Sequence, residues 1–219
     1  MDQEILNSYS KLNHLNVSRE TFIDFENYIS MILEKSKKIN LISQNITSKK
    51  YLINRHIIDC AQIIDFVDLN SNTTTDLGSG SGMPGIIVAI LLKNLNNNMN
   101  VHLYEKSYHK SQFLKEVSEK LKLKTKIFQK NIFEIKNLET GTIMSRAFKP
   151  MPVVLDLVYE NFSKFKNLIF FMGNSGKKVF ENSKKKWELE YEEKKSLTNK
   201  DSFLVNIKKI KIKNLNNFK

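Results

Sequence analysis

Apolar residues recur at helical spacing through the first third of the chain and give way to short strand-like runs beyond it. From Ser18, a residue suited to an N-cap, Phe22, Phe25, Ile29, Ile32 and Leu33 mark one face of a helix running to about Lys38. Asn40-Leu41-Ile42-Ser43 breaks that period. Ser48 then caps a second helix to about Asp68, with Leu52, Ile57, Cys60, Ala61 and Ile64 facing inward. Residues 2–13 read as a further short helix. Residues 1–70 are thus a helical extension packed on a core, because two amphipathic helices need a surface to cover.

After Asn70-Ser71-Asn72 the pattern changes. Strands are expected at Thr73–Leu77, 100–105, 125–129, Thr142–Ser145 and Asn167–Met172. Helices are expected at 84–93, 109–122 and 153–162, the second burying Phe113, Leu114, Val117 and Leu121. Strands alternating with helices predict a parallel, doubly wound α/β sheet. Near the end, Trp187, Leu189 and Tyr191 alternate with glutamates, and Phe203, Val205 and Ile207 alternate likewise with no helix between. The expectation is a mostly parallel seven-stranded sheet with an antiparallel C-terminal ending, residues 71–219 forming one structural unit. Lys184-Lys185-Lys186 and the Lys/Asn-rich segment 208–219 read as solvated surface.

Composition narrows the setting. A chain of 219 residues buries roughly 70% of its unfolded surface, enough for a full core. One cysteine, Cys60, excludes an internal disulfide and fits a reducing compartment. The start, Met1-Asp2-Gln3-Glu4, is unlike a signal peptide, and the longest apolar run, Ile86 to Leu92, is too short to span a bilayer. A cytoplasmic protein without membrane attachment is expected. The net charge is +12, which suits a polyanionic partner. It is equally what an AT-rich coding bias toward lysine would produce, since Arg19, Arg55 and Arg146 are the three arginines.

Candidate chemistry concentrates in Asp76-Leu77-Gly78-Ser79-Gly80-Ser81-Gly82-Met83-Pro84-Gly85, which holds four of the seven glycines. Strand, glycine loop and helix in succession let backbone approach a ligand closely. Gly80 to Gly85 even satisfies the dinucleotide fingerprint. Asp76 favours S-adenosyl-L-methionine (SAM) instead, because a carboxylate facing the crevice opposes a pyrophosphate but suits a cationic amino-acid group. Glu105, at the end of the second expected strand, is placed to accept from ribose hydroxyls of either cofactor. His56 and Asp59, three apart on one helical face, are placed to pair and pack that helix on the loop, or His56 to reach an RNA. The four histidines and Cys60 show no metal-ligand spacing, so no metal is expected.

Several stretches together carry a family resemblance. The glycine loop with its Pro84-Gly85 close, Asn40-Leu41, Arg55-His56-Ile57-Ile58-Asp59, Tyr104-Glu105-Lys106-Ser107 with Lys110 and Phe113-Leu114, and Ser145-Arg146-Ala147 stand in one order. Together they resemble the bacterial small-subunit ribosomal RNA guanine-N7 methyltransferases, the glucose-inhibited division protein B family. The resemblance spans about residues 40–173 and implies a Rossmann-like, SAM-dependent methyltransferase fold. It implies methyl transfer to N7 of a guanine in the decoding-region loop of 16S rRNA, free or in the small subunit; a monomer is expected. Asp76, Gly78, Gly80, Met83, Glu105, Ile132, Phe133 and Arg146 are the cofactor-binding residues it implies, with Arg146 at the mouth as a positioning group. Guanine N7 has a free lone pair at neutral pH, so no general base is required.

The chain departs from the family pattern at two places. Asn131-Ile132-Phe133-Glu134 keeps one carboxylate where the family usually has an acidic pair and an arginine. Met172-Gly173 stands where it usually has Lys-Gly, with Lys177 and Lys178 following. The alternatives are methylation of another RNA or a small molecule, an RNA-binding member that has lost catalysis, and, more distantly, a dehydrogenase.

Overall fold

The computed structural model describes residues 9–15, 17–42 and 49–213. The helix expected over 2–13 therefore lies mostly outside the described residues, as do Ser48 and the last residues of the Lys/Asn-rich tail; within them, Ser10–Leu15 is a 3-10 turn. Helix α1 (Arg19–Ser36) starts as expected, the Ser18 hydroxyl accepting from the Thr21 N–H at 3.2 Å. Phe25, Ile29 and Ile32 are buried, while Phe22 and Leu33 lie at the margin of that face. Tyr28 joins them, fully buried. A buried phenol needs a partner, and its hydroxyl donates to the Ser81 carbonyl at 2.7 Å, tying α1 to the glycine loop.

The next helical stretch, α2, is composite. It runs through an α-turn at Lys49–Leu52, a π-turn at Ile53–Ile58, an α-turn at Asp59–Ala61 and a 3-10 turn at Gln62–Phe66. Leu52, Ile57, Cys60, Ala61 and Ile64 all face the core as expected. The π-turn, a form that recurs at functional sites, holds Arg55 and His56.

The α/β part follows as β1 (Thr73–Leu77), α3 (Gly85–Asn94), β2 (Asn100–Tyr104), α4 (Tyr108–Lys120), β3 (Thr125–Phe128), β4 (Leu138–Glu139), β5 (Thr142–Ser145), α5 (Met151–Asn161), β6 (Phe162–Lys164), β7 (Asn167–Met172), α6 (Gly176–Ser183), β8 (Trp187–Lys195) and β9 (Phe203–Ile212). The main sheet has seven strands in the order β3-β2-β1-β5-β7-β9-β8. β1, β2, β3, β5 and β7 pair in parallel, whereas β9 is antiparallel to both β7 and β8. This is the mostly parallel sheet with an antiparallel ending that the patterning predicts.

Neighbouring residues on one strand point to opposite faces, and the core divides accordingly. Met144, Ile169 and Leu204 join the apolar cluster with α1 to α4, while Ile143, Leu168 and Val205 join the one with α5 and α6. The chain leaves β1 toward β2 and later returns to β5 on its other side. Loops after β1 and β5 thus diverge, opening a crevice at the carboxyl ends of the strands.

Three features escape the patterning. Helix α6 carries only Val179 and Phe180 as apolar anchors, too few to register as a period. The pair β4–β6 is too short to alternate. Lys184 is not simply solvated: its ammonium lies 4.3 Å from the Phe180 ring centroid and 4.6 Å from that of Tyr191. Among the described residues no helix is long and apolar enough to cross a membrane.

Tyr28→Phe keeps the packing but leaves the Ser81 carbonyl without its donor. Urea unfolding should report a loss of about 1–2 kcal/mol, with an unchanged m-value.

Candidate active site

The crevice after β1 and β5 holds a cleft of about 510 Å3. Its floor is the glycine loop, whose Gly78, Gly80 and Gly82 have φ of +66°, +58° and +102°, conformations open to glycine at little cost. A Cβ on Gly78 would overlap the Phe148 ring, so the absence of a side chain there is also a packing requirement. The loop is held by its neighbours: the Ser79 N–H donates to the Tyr104 carbonyl at 3.0 Å, and the Gly80 N–H to Glu105 Oε2 at 2.9 Å.

Glu105 is nearly buried and lines the cleft. Its Oε1 accepts from the Ser107 N–H at 2.8 Å, so the carboxylate is fixed by two backbone donors and keeps further lone pairs for a ligand. Gly78, Gly80, Met83, Ile132 and Arg146 line the same cleft.

Two expected residues stand elsewhere. Asp76 does not face the cleft: it is 1% exposed, and its Oδ2 accepts from the Gly85 N–H at 3.0 Å beneath the loop. The carboxylate thus closes the N-terminus of α3, a capping role in place of the expected ligand-facing one. Burial pushes its pKa up to about 7. Phe133 also stays off the cleft wall, its ring half exposed and 6.0 Å from that of Phe148, because the turn at Ile132–Glu134 points Ile132 inward instead.

Arg146 links parts of the chain ninety residues apart. Its Nη1 lies 3.1 Å from His56 Nδ1, its Nη2 donates to the Arg55 carbonyl at 3.0 Å and reaches Asp59 Oδ2 at 3.4 Å, and its guanidinium sits 5.6 Å from the Phe171 ring centroid. His56 and Asp59 therefore meet through the arginine rather than pairing directly as expected. Ala147, at φ +51°, turns the chain sharply after β5, so Arg146 reaches α2 while Phe148 packs on Gly78.

A guanidinium only donates, so Nδ1 of His56 is the acceptor and Nε2 carries the ring proton. Burial, then the charges of Arg146 and Arg55, hold the His56 pKa down to about 4, keeping the ring neutral at physiological pH. Its Nε2 is buried without a hydrogen-bond partner among the described residues. Asp59 Oδ1 in turn accepts from Gln62 Nε2 at 3.0 Å and Thr198 Oγ1 at 3.0 Å, joining α2 to the β8–β9 loop.

Sequence reasoning missed several residues. Asn161, 2% exposed, donates from Nδ2 to the carbonyls of Ile132, Phe133 and Ile135, holding the turn that forms one cleft wall. Nothing in a lone helix-terminal asparagine signals that. Lys106, Lys130 and Lys149 line the cleft with Lys110, and none is in an ion pair among the described residues. Lys177 and Lys178 line neither this cleft nor the cavity beside it.

The fold is that of SAM-dependent methyltransferases. Solved structures similar to it include a SAM-dependent methyltransferase from Aquifex aeolicus (TM-score 0.54, 12% identity, 75% of this chain and 95% of that one) and a SAM-dependent O-methyltransferase from Thermotoga maritima (TM-score 0.53, 14% identity, 83% and 71%). The family model for rRNA small subunit methyltransferase G matches residues 21–206. A ribosomal RNA small subunit methyltransferase G from Pelagibacter ubique is 57% identical over 212 residues, covering 97% of this chain and 100% of the relative. The chain belongs to the rRNA small subunit methyltransferase G family.

Asp76 and His56 give opposite pH dependences. The folded-state pKa of Asp76 is raised, so its burial costs stability as pH climbs from about 4 to about 7. That of His56 is lowered, so its contribution is full above about 6.5 and is lost as pH falls toward about 4. Asp76→Asn, whose amide oxygen still accepts from Gly85, should remove the first effect. Its stability relative to wild type, followed by denaturant unfolding, should increase with pH across that window.

Proposed function

We propose that this protein transfers the methyl group of S-adenosyl-L-methionine to N7 of a guanine in the decoding-region loop of 16S rRNA, free or within the small ribosomal subunit. It works as a cytoplasmic monomer. The observation that carries the reading is the convergence of two separated family signatures: Arg146 of Ser-Arg-Ala is bonded to His56 and Asp59 of Arg-His-x-x-Asp at the wall of the cleft.

The residues fit the cofactor. A loop of three left-handed glycines, two of them without room for a Cβ, is what close approach of a ligand to backbone requires. Gly78, Gly80 and Met83 would lie along its methionine and ribose, Glu105 would hold the ribose hydroxyls, and Ile132 would border the adenine. Phe133 can contribute through its backbone, which Asn161 fixes from below. Arg146 positions the mouth. Asp76 acts from beneath the loop, holding its exit into α3. When bound, the cofactor supplies an electrophilic methyl group on a sulfonium.

What the chain supplies is orientation. The acceptor nitrogen needs no proton removed, and aligning two reactants can contribute roughly 7–11 kcal/mol. His56, neutral and hydrogen-bonded at Nδ1, fits a positioning role better than proton transfer. The lysines lining the cleft, Lys106, Lys110, Lys130 and Lys149, suit RNA phosphates. Residues 1–70 belong to the same working unit as 71–219, since α1 holds the glycine loop through Tyr28 and α2 holds Arg146.

The test offers methyl-labelled SAM and small subunits lacking the modification, then maps chain cleavage at 7-methylguanine. Label should appear at one guanine of the decoding-region loop; label on another base, on another RNA or on protein would refute the assignment. RNA binding with no calorimetric SAM binding would mark a member that has lost catalysis. Glu105→Gln, which loses a charged acceptor, should weaken SAM binding about tenfold or more by calorimetry while leaving the fold intact by circular dichroism.

A further inference from the structure

A second cavity of about 400 Å3 adjoins the glycine-loop cleft, and the two share His56, Arg146 and Ala147. Its size falls in the range of small-ligand sites. Its walls come from four parts of the chain: α2, the turn after β5, the end of β7 and the β8–β9 loop with the start of β9. Tyr51, Phe171 and Phe203 contribute aromatic rings to the lining, beside Asp59, Ser196 and Thr198, whose side chains are hydrogen-bonded to one another. Aromatic faces with a few convergent polar groups are what an unstacked nucleobase requires. Met172 gives this wall an apolar thioether at the family's usual lysine position.

The orphaned Nε2–H of His56 belongs to a side chain common to both cavities. A buried donor without a partner costs stability unless a ligand completes it. Arg146 fixes the tautomer that presents this donor, and Asp59 with the Arg55 carbonyl fixes Arg146. The edge of a guanine that carries N7 also carries O6, an acceptor; adenine has an amino donor at the same place.

We propose that the second cavity receives the acceptor guanine, and that His56 selects it by donating from Nε2 to O6 while N7 faces the glycine-loop cleft. The assignment rests on the guanine-N7 reading above. His56 is then a specificity contact, and Arg146 the positioning residue that holds it. An adenine in the cavity would set its amino group against the Nε2–H, leaving two donors facing each other. The aromatic residues of the lining hold the base, while the Asp59 carboxylate, which already accepts from Arg146, Gln62 and Thr198, stays with the scaffold that fixes Arg146.

The experiment compares wild type, His56→Leu and His56→Gln on small subunits assembled with RNA carrying either guanine or 2-aminopurine at the mapped acceptor. 2-Aminopurine keeps the N7 lone pair and lacks O6. With wild type, kcat/KM should fall about 10- to 100-fold on 2-aminopurine, and His56→Leu should fall similarly on guanine. Combining the two changes should cost little more than either alone, and His56→Gln, whose amide can donate from near the Nε2 position, should recover part of the discrimination. Independent, multiplicative losses would overturn the assignment, because a His56 that merely braced Arg146 would act equally on both bases. Loss of guanine methylation by wild type would instead defeat the guanine-N7 reading and the selection argument with it.

Discussion

Two carboxylates hold the glycine loop in a conformation it would not keep by itself. Glu105 binds the Gly80 N–H from the side of β2, and Asp76 binds the Gly85 N–H from below. A run of left-handed glycines carries a high backbone entropy when unfolded and few side-chain contacts to oppose it. Acceptors from adjacent strands therefore supply much of the order. They are not equivalent. Glu105 lines the cleft and has acceptor capacity left over, whereas Asp76 is enclosed, its proton affinity raised by burial. One works toward the ligand and the other toward the scaffold.

Arg146 is the second joint. Its guanidinium is mostly buried, and three groups from one turn of α2 meet it. The π-turn matters here, since the Arg55 carbonyl and the His56 ring both reach the arginine from it. Ala147 completes the joint by turning the backbone, which separates the direction of Arg146 from that of Phe148. The helical extension is therefore a wall of the site as well as a cover for the core.

Much of this was legible in the sequence, for identifiable reasons. Strands β1, β5 and β7 carry compact β-branched or apolar runs bounded by polar turns, and their observed limits match the expected ones. The buried faces of α2 and α4 followed from period alone. Position along the chain cannot report direction in space, and that explains Asp76: a carboxylate ending a strand can turn up to the crevice or down to a helix start. Phe133 is similar, since a three-residue turn gives no face to read. Asn161 and the cleft lysines act through distance, not local pattern. His56 and Asp59 were visible as a pair, but the arginine between them is ninety residues away.

The β8–β9 hairpin gives the molecule an asymmetry in time. Every residue lining the glycine-loop cleft lies at or before Lys149, whereas the adjoining cavity draws a wall from Ser196, Thr198 and Ser202 to Leu204. Synthesis runs from the amino end, so the first chamber's residues all emerge from the ribosome before those that close the second. A nascent chain thus has every residue lining one cavity well before it has all those lining the other. Among the described residues, the antiparallel ending of an otherwise parallel sheet is the last part of that enclosure to be made.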